Sequence, residues 1–323
     1  MSRLSGRRGG MVVCLAAVAL SLAAVALSLT VAVGIGFGEE SSAIDKPERI
    51  IATDYASIQE AIDAAKRLKV FHIYIPSGTY NVNETLNLTG LHGGIFEGTG
   101  SYTTILQTAT GNTPAMDLTN SVGLVLKNFQ LTGSGSVGIL MARKGPERLL
   151  EQSIPSSGNH EVRNVKAVGF GEAAVMSYGS GPNYFYSCHF SCGGAAVLIT
   201  DYNREGVKSP YVELRDSANT TTDNREGAKG PDLELGNSTN TTTYFYGTLL
   251  IGGGGGSVGL RVSGASDVSV IGGMICADFA GVYLDGTGHL GQITIRDVHM
   301  EAIGQHSVYA VGAVRNVIIE EGY

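Results

Sequence analysis

One stretch near the start of the chain has apolar residues at the spacing of an α-helix. In "YASIQEAIDAAKRLK", residues three and four apart share one helical face, which gives a single apolar stripe. The stripe consists of Ile58, Ala61, Ile62 and Ala65. Ser57 precedes it and Glu60 follows three residues later, which is the pattern of a capping box. The pattern predicts a short amphipathic helix.

After this stretch the apolar pattern changes to an alternation with a period of two, which is typical of β-strands. Glycine, asparagine, aspartate or serine interrupts it every few residues. The alternating runs include "FHIYI", "GGIFEG", "TILQT", "VGLVLKNFQL", "VGILMA", "AAVLIT", "VGLRV", "VSVIGG", "GVYLDG", "ITIRDVHM" and "VIIEE". The exported part is therefore predicted to be all-β apart from the one helix.

The strands recur with a loose period, in which two short strands and a glycine-rich or acidic corner precede a third strand. Val268 to Ile293 spans 25 residues, and Phe245 to Val268 spans 23. A coil of this length can place one strand on each of three sheets and bury the inward side chains of all three. The period favours a parallel β-helix over a β-propeller or sandwich, which would need longer strands and Asn-Gly hairpins.

Residues 201–242 depart from the repeat. They are rich in Asn, Thr and Asp, and their apolar runs are limited to "YVEL" and "LEL". We interpret them as a long polar insertion between coils, since loops of this length in compact domains are usually functional or disordered.

The beginning of the chain predicts export. Three arginines precede an uncharged apolar run from Met11 to Gly38, which ends at Glu39 and Glu40. Its length fits either a cleaved signal peptide or an uncleaved membrane anchor. The predicted organisation is a signal or anchor at 1–38, a linker at 39–56 and a β-helix domain at 57–323, placed outside the cytoplasm and touching the membrane only through the N-terminal segment.

Composition narrows the set of ligands. The formal charge is −7, and because the first 38 residues hold three arginines and no acid, the remainder carries −10. Such a domain repels nucleic acid and anionic membranes, so no nucleic-acid partner is expected. Neutral ligands, or anions held through a metal, fit better.

The cysteines leave two alternatives open. Cys14 lies in the apolar N-terminal run, and Cys188, Cys192 and Cys276 follow later. In an oxidising compartment the last three predict one disulfide and one free thiol, but three small buried apolar side chains fit equally well. The spacing in "CHFSC" is not that of a metal site.

The helix and the strands after it carry a resemblance. "SIQEAIDAA", followed by "YIPSGTY", "LNLTG" and "GIFEGTG", resembles the N-terminal signature of the pectate lyase superfamily. That superfamily comprises right-handed β-helices such as polygalacturonase-like hydrolases, polysaccharide lyases and phage tailspikes. The resemblance is specific over residues 50–107. It implies a right-handed, single-stranded parallel β-helix of three sheets, with the short N-terminal α-helix capping its open end and the proline turn beginning the first coil.

The catalytic motifs of the superfamily do not carry over. Polygalacturonase-like hydrolases have Asn-Thr-Asp, Asp-Asp, Gly-His-Gly and Arg-Ile-Lys segments, whereas this chain has only "GHL" at 288–290 as a partial match. The arginine and aspartate pattern of calcium-dependent pectate lyases is not recognisable, so Ca²⁺ is not indicated and no cofactor is predicted. The fold alone therefore does not assign a reaction.

Two groups of outward positions are candidates for chemistry. In "ITIRDVHMEA", inward Ile293, Ile295, Val298 and Met300 with a parity shift near Asp297 would leave His299 and Glu301 outward on one face. The preceding coil would place Cys276 near Glu301 and Asp278 two residues further on. His299, Glu301 and Asp278 could then act as general acid and base on a glycosidic bond, with solvated surface residues as the competing interpretation.

The second group is the repeated "YFY", which contains Tyr184, Tyr186, Tyr244 and Tyr246. If these tyrosines point outward on successive coils, they offer sugars a surface for stacking. With the opposite parity they would form an internal aromatic ladder. The pattern does not distinguish the two.

These observations predict an exported β-helix that binds polysaccharide, with cleavage as a hydrolase or lyase as one hypothesis. The alternative is a non-catalytic structural or adhesion β-helix of a cell or virion surface. "VRNVIIEEGY" ends on a strand without a capping helix, which predicts either a covering subunit, as in a homotrimer, or a truncated gene product.

Overall fold

The computed structural model describes residues 47–143, 157–200 and 242–320, except 313 and 315, and it leaves out the side chains of 264–266 and 287–289. The predicted export segment and the polar insertion up to residue 241 lie outside the described residues. Within those residues, no helix has the length and apolar content needed to cross a membrane.

The predicted helix is present as α1, Ile58–Leu68. The Glu60 backbone N–H donates to Ser57 Oγ at 3.1 Å, and Glu60 Oε2 accepts from the Ala56 backbone N–H at 3.1 Å. The apolar stripe is buried and packs onto the first coil. Gln59 and Lys66, on the same side of the helix, hydrogen-bond the Asn87 backbone, so that side is tied to the strand that contains Asn87. The helix covers this end of the apolar core, as the resemblance implies.

A short 3-10 helix, Ala52–Asp54, precedes α1. The strands are β1 Ile50–Ile51, β2 His72–Ile75, β3 Gly78–Val82, β4 Leu86–Asn87, β5 His92–Gly98, β6 Thr104–Thr108, β7 Met116–Asp117, β8 Val122–Gly133, β9 Val137–Ala142, β10 His160–Phe170, β11 Ala173–Tyr178, β12 Asn183–Tyr186, β13 His189–Cys192, β14 Ala195–Thr200, β15 Thr242–Gly252, β16 Val258–Cys276, β17 Ala280–Arg296, β18 His299–Met300, β19 His306–Gly312 and β20 Val317–Glu320. Strand β1 lies inside the segment predicted as a linker and pairs with β2.

Each strand pairs in parallel with its equivalent one coil away, which builds three sheets. The first sheet contains β1, β2, β5, β12, β20 and parts of β8, β10, β15, β16 and β17. The second contains β3, β6, β13, β18 and later parts of β8, β10, β15 and β16. The third contains β4, β7, β9, β11, β14, β19 and the beginnings of β16 and β17. The predicted right-handed, three-sheet parallel β-helix is confirmed.

The inter-coil register confirms one predicted period and corrects the other. Val268 pairs with Ile293, 25 residues away, as expected. Phe245 pairs with Val270 and not with Val268, because Val268 lies opposite Thr243. This shift of two residues preserves the alternation of inward and outward side chains, so the predicted faces remain correct.

Within the described residues, six coils pass from the first sheet to the second at a residue of positive φ, between 49° and 64°. These equivalent residues are Asn128, Asn164, Ser187, Gly247, Gly272 and Asp297. The left-handed region is costly for most side chains, whereas glycine and asparagine adopt it more readily. Asn164 Nδ2 donates to Asn128 Oδ1 at 3.0 Å, which ties two corners together. We call this feature the left-handed corner.

Apolar side chains from all three sheets fill the interior. Phe185 stacks on Phe245 with ring centroids 4.9 Å apart, and Phe96 meets Phe129 edge to face at 5.4 Å. All four rings are almost completely buried. Burial of each such ring contributes roughly 1.5–3 kcal/mol, so the interior stack holds successive coils in register.

A histidine side chain also lies inside. His160 is fully buried, and its Nδ1 accepts from the Leu124 backbone N–H at 3.3 Å. Its Nε2 has no hydrogen-bond partner within the described coils. Burial lowers the pKa of His160 to about 4, so the folded protein keeps this imidazole neutral.

Stability should therefore fall on mild acidification. The pKa of folded His160 is about 4, below the ordinary value of 6.5, so unfolded chains bind a proton between these values that folded chains do not. We expect this residue to lower the free energy of unfolding by up to about 1.4 kcal/mol per pH unit as pH falls from about 6.5 towards about 4. Urea unfolding across this range should show a shallower pH dependence for H160Q, and not for H92Q, which alters an exposed histidine. Equal slopes for wild type and H160Q would contradict the assignment.

Candidate functional site

The four tyrosines of the two "YFY" segments point outward from the first sheet. Tyr184 and Tyr186 lie on β12, Tyr244 and Tyr246 lie on β15, and all four are half-buried. The intervening Phe185 and Phe245 point inward. The structure thus resolves the question of parity, since the tyrosines form an outward block and the phenylalanines form the internal ladder. We call the four side chains the tyrosine block.

Within the tyrosine block the rings stack in pairs between neighbouring coils. The ring centroids of Tyr184 and Tyr244 are 5.2 Å apart with planes at 11°, and those of Tyr186 and Tyr246 are 5.1 Å apart at 9°. These separations are close to the spacing of adjacent strands, so the ring faces are directed along the helix axis. The two rings of each pair cover each other's inner faces. Ring edges, hydroxyls and outer faces are what a ligand can meet.

A charged pair closes one end of the block. Arg163 Cζ lies 5.0 Å from the Tyr186 ring centroid, on the coil before Tyr186, and Arg163 also forms an ion pair with Glu161. The guanidinium covers the outer face of Tyr186 by a cation–π contact. Towards the other end of the block, Tyr246 lies opposite Ile271 and Tyr244 lies opposite Ser269, so among the described residues Tyr244 is the ring with a small neighbour on its outer face.

The phenols of Tyr186 and Tyr244 are neutral hydrogen-bonding groups at ordinary pH. Burial raises the pKa of Tyr186 and of Tyr244, and neighbouring tyrosines raise both further. Each hydroxyl can consequently donate and accept.

Earlier coils of the same face carry paired charges. Glu97 lies 3.1 Å from Lys127 Nζ and 2.9 Å from His72 Nε2. Burial raises the pKa of Glu97, but hydrogen bonds and charge from Lys127 and His72 outweigh it, and the net pKa is lowered. Arg49 Cζ lies 4.7 Å from the Tyr74 ring centroid. This part of the face combines internal ion pairs with an aromatic contact.

His299 and Glu301 project outward, as the pattern predicts. Ile293, Ile295 and Val298 are buried, and the parity shift occurs at the left-handed corner of Asp297. His299 Nε2 lies 3.8 Å from Glu301 Oε2, with the side chains 51% and 60% exposed. Such exposed pairs contribute little to stability.

The structure does not join Asp278 to this pair. Asp278 lies exposed in the turn between β16 and β17, and in the described part of the chain its carboxylate makes no hydrogen bond or ion pair. Cys276 does lie near Glu301, whose charge adds to burial in raising the pKa of Cys276. His299 follows the left-handed corner on the second sheet, whereas the tyrosine block lies before that corner on the first. The two predicted groups therefore belong to different faces.

A further cluster, on the outer face of the third sheet, was not predicted. Arg261 lies 4.9 Å from the Tyr283 ring centroid and 3.8 Å from Asp285 Oδ2, with only 11% of its side chain exposed. Three more rings pack around Tyr283 or each other, namely Phe279, His306 and Tyr309. The sequence signal for this cluster was an arginine in "VGLRV" and a tyrosine in "GVYLD". Both residues are at outward positions of strands that the repeat places on neighbouring coils. Across the described coils, no three His, Cys, Asp or Glu side chains are grouped so that they could hold a metal.

The three described cysteines are free thiols. Cys188 and Cys192 are buried, and their thiols lie within hydrogen-bonding reach of the carbonyl oxygens of Val162 at 3.4 Å and Ala195 at 2.9 Å. Burial raises the pKa of both to about 12. The structure supports small buried side chains over a disulfide for Cys188 and Cys192, whereas Cys276 is only half-buried.

Comparison with known proteins yields distant structural similarity only. No family model matches the chain, and no curated protein matches it. A Geobacillus virus E2 protein, ORF18, is 11% identical with a TM-score of 0.37, covering 86% of this chain and 61% of its own length. The catalytic unit of a GH87 α-1,3-glucanase from Streptomyces thermodiastaticus is 12% identical with a TM-score of 0.29, covering 88% and 69%. A GH87 α-1,3-glucanase domain in complex with tetrasaccharides is 13% identical with a TM-score of 0.29, covering 84% and 68%. These identities and TM-scores carry no information about the activity of this chain, which depends on its own side chains.

Thiol titration tests the burial of the cysteines. In a C14S background we expect Cys276 to react with DTNB before the other two thiols in the folded protein, because Cys188 and Cys192 are buried whereas Cys276 is half-buried. Denaturation without reductant should release two more, and C276S should remove the fast reaction. Fewer than three thiols after denaturation would indicate a disulfide and overturn the assignment.

Proposed function

We propose that this chain is an exported β-helix that binds polysaccharide through the tyrosine block on the first sheet. The observation that carries the proposal is the two-by-two arrangement of outward tyrosines on adjacent coils, held by stacking at 5.1 and 5.2 Å. Tyrosine combines an apolar ring with a hydroxyl, which matches the CH faces and hydroxyl groups of sugars.

The geometry of the face suits a linear polymer. Equivalent outward side chains repeat once per coil, at about 4.8 Å along the helix axis. A polysaccharide chain presents similar groups at regular intervals, so an extended glycan could contact several coils at once. Many weak contacts of this kind add up when their spacing matches.

The charges of the face favour an uncharged polymer. Lys127, Arg163 and Arg296 each lie beside a carboxylate, those of Glu97, Glu161 and Asp297 respectively. Binding of nucleic acid draws on basic side chains that neutralise phosphates, and these three are already paired. A glycan with hydroxyl groups needs no such compensation.

We propose binding without cleavage. The two carboxyl groups of a glycosidase flank the scissile bond, and one must stay protonated to act as the acid. Glu301 instead pairs with His299 in an exposed position on the second sheet, away from the tyrosine block.

Export rests on the apolar run from Met11 to Gly38 after three arginines. A homotrimer stays a prediction.

Replacement of the tyrosines tests the binding surface. We expect the purified full-length chain to sediment with at least one of five polysaccharides: α-1,3-glucan, cellulose, chitin, polygalacturonate or alginate. The double variant Y184A/Y244A should bind about tenfold more weakly, a loss of about 1.4 kcal/mol, because the stack and its open ring face disappear. The control Y102A removes a single tyrosine that is 73% exposed and lies outside the block. Retained affinity in the double variant, or no binding by wild type, would refute the proposal.

Product analysis tests the absence of cleavage. Incubation of the same panel with wild type should give no new reducing ends and no unsaturated products, measured by a reducing-sugar assay and by absorbance of the double bond. Products that disappear in E301Q or H299A, while R67Q leaves them unchanged, would show that His299 and Glu301 are catalytic. Arg67 is the matched control because it is an exposed side chain on α1.

A further inference from the structure

We propose that the tyrosine block continues into a ledge that holds one neutral pyranose residue against the open face of Tyr244. The ledge is formed by Ser269, Asp267, Gln292 and Thr294. This inference rests on the proposed function, because it names the sugar class and the position within the same surface.

The ledge lies where the series of stacked tyrosine rings on successive coils ends. Tyr184, Tyr244, Ser269 and Thr294 occupy equivalent outward positions on four successive coils. Tyr184 covers one face of Tyr244 at 5.2 Å, whereas the short side chain of Ser269 follows on the other side. The strand spacing of about 4.8 Å leaves room beyond Tyr244 for one further ring. A pyranose is similar in size to the missing phenol ring and can stack there through its CH groups.

The neighbouring outward position closes one side of the ledge. Ile271 lies two residues after Ser269 and opposite Tyr246, and its half-buried side chain fills the place beside the ledge. At the far end of the block, Arg163 already covers Tyr186. Tyr244 therefore differs from Tyr186 in keeping a ring face next to a small residue.

Polar groups surround the ledge on the remaining side. Asp267 Oδ1 accepts from the Gln292 backbone N–H at 3.0 Å, which holds this carboxylate at the edge of the first sheet. Gln292 Nε2 donates to Thr294 Oγ1 at 3.2 Å. The hydroxyls of Ser269 and Thr294, together with the Asp267 carboxylate, supply donors and acceptors for sugar hydroxyl groups.

The charge at the ledge selects against acidic sugars. Asp267 is an exposed carboxylate, and its charge reaches Tyr244, where it adds to burial and Tyr184 in raising the pKa of that phenol. Arg296 lies opposite Ile271 but faces Asp297, with Nε 3.9 Å from Oδ2. A uronic acid placed over Ser269 would meet a like charge, whereas a neutral hexopyranose would not.

Filling the ledge tests the proposal. We expect S269F to extend the ladder of rings and to weaken binding to the neutral polysaccharide that wild type binds most tightly in the panel by about tenfold. S269A keeps the ledge open and removes one hydroxyl, so its loss should not exceed about threefold. S191F is the matched control, because Ser191 is an outward, half-buried serine on the second sheet. D267N should raise the affinity for polygalacturonate relative to the neutral polymer.

Each outcome separates the inference from the proposed function. Equal affinities of S269F and wild type, with the Y184A/Y244A loss intact, would overturn the ledge while leaving the tyrosine block as the binding surface. The ledge would also be overturned if wild type binds polygalacturonate or alginate most tightly, or if S269A loses as much affinity as S269F. Absence of binding to all five polysaccharides would overturn the proposed function and the ledge with it. Circular dichroism and thermal melting establish that each variant is folded.

Discussion

The parallel register between successive coils is the constraint on which the rest of the structure depends. Each strand hydrogen-bonds its equivalent one coil away, so apart from two register shifts the paired side chains of the described strands lie over the residues one period before them. Because the alternation within a strand has a period of two, this register sends whole columns of residues inward or outward together. Phe185 over Phe245 inside, and Tyr184 over Tyr244 outside, are two results of the same pairing.

The left-handed corner converts this register into separate surfaces. At positions such as Asn164 and Asp297, a single residue of positive φ turns the chain from the first sheet to the second. Side chains a few residues apart in sequence, such as Arg296 and His299, therefore belong to different faces. The corner keeps the tyrosine block apart from the pair of His299 and Glu301, so the two act as independent features of the surface.

On this scaffold, surface chemistry is determined by the outward side chains at equivalent positions of successive coils. The outward carboxylates Glu97 and Glu161 have basic partners, which leaves ring edges, hydroxyls and the step from Tyr244 to Ser269 as the groups that distinguish the first sheet. Where a series of stacked large side chains ends at a small one, the small side chain leaves a space about the size of one ring. The fold sets the spacing between coils, and the residue at the end of such a series decides which ligand fits there.

The sequence by itself determined the helix, the strand period and the alternation of faces, because helix capping and apolar periodicity are local properties of the chain. It also placed His299 and Glu301 outward. The orientation of "YFY", the true partner of Phe245 and the cluster around Arg261 were decided only by the tertiary structure. A period with a tolerance of two residues permits several inter-coil registers, and the packing of paired residues in the shared core, such as Phe185 on Phe245, selects one of them. The tyrosine block exists because that choice pairs β12 with β15, which are separated in sequence by residues 187–241.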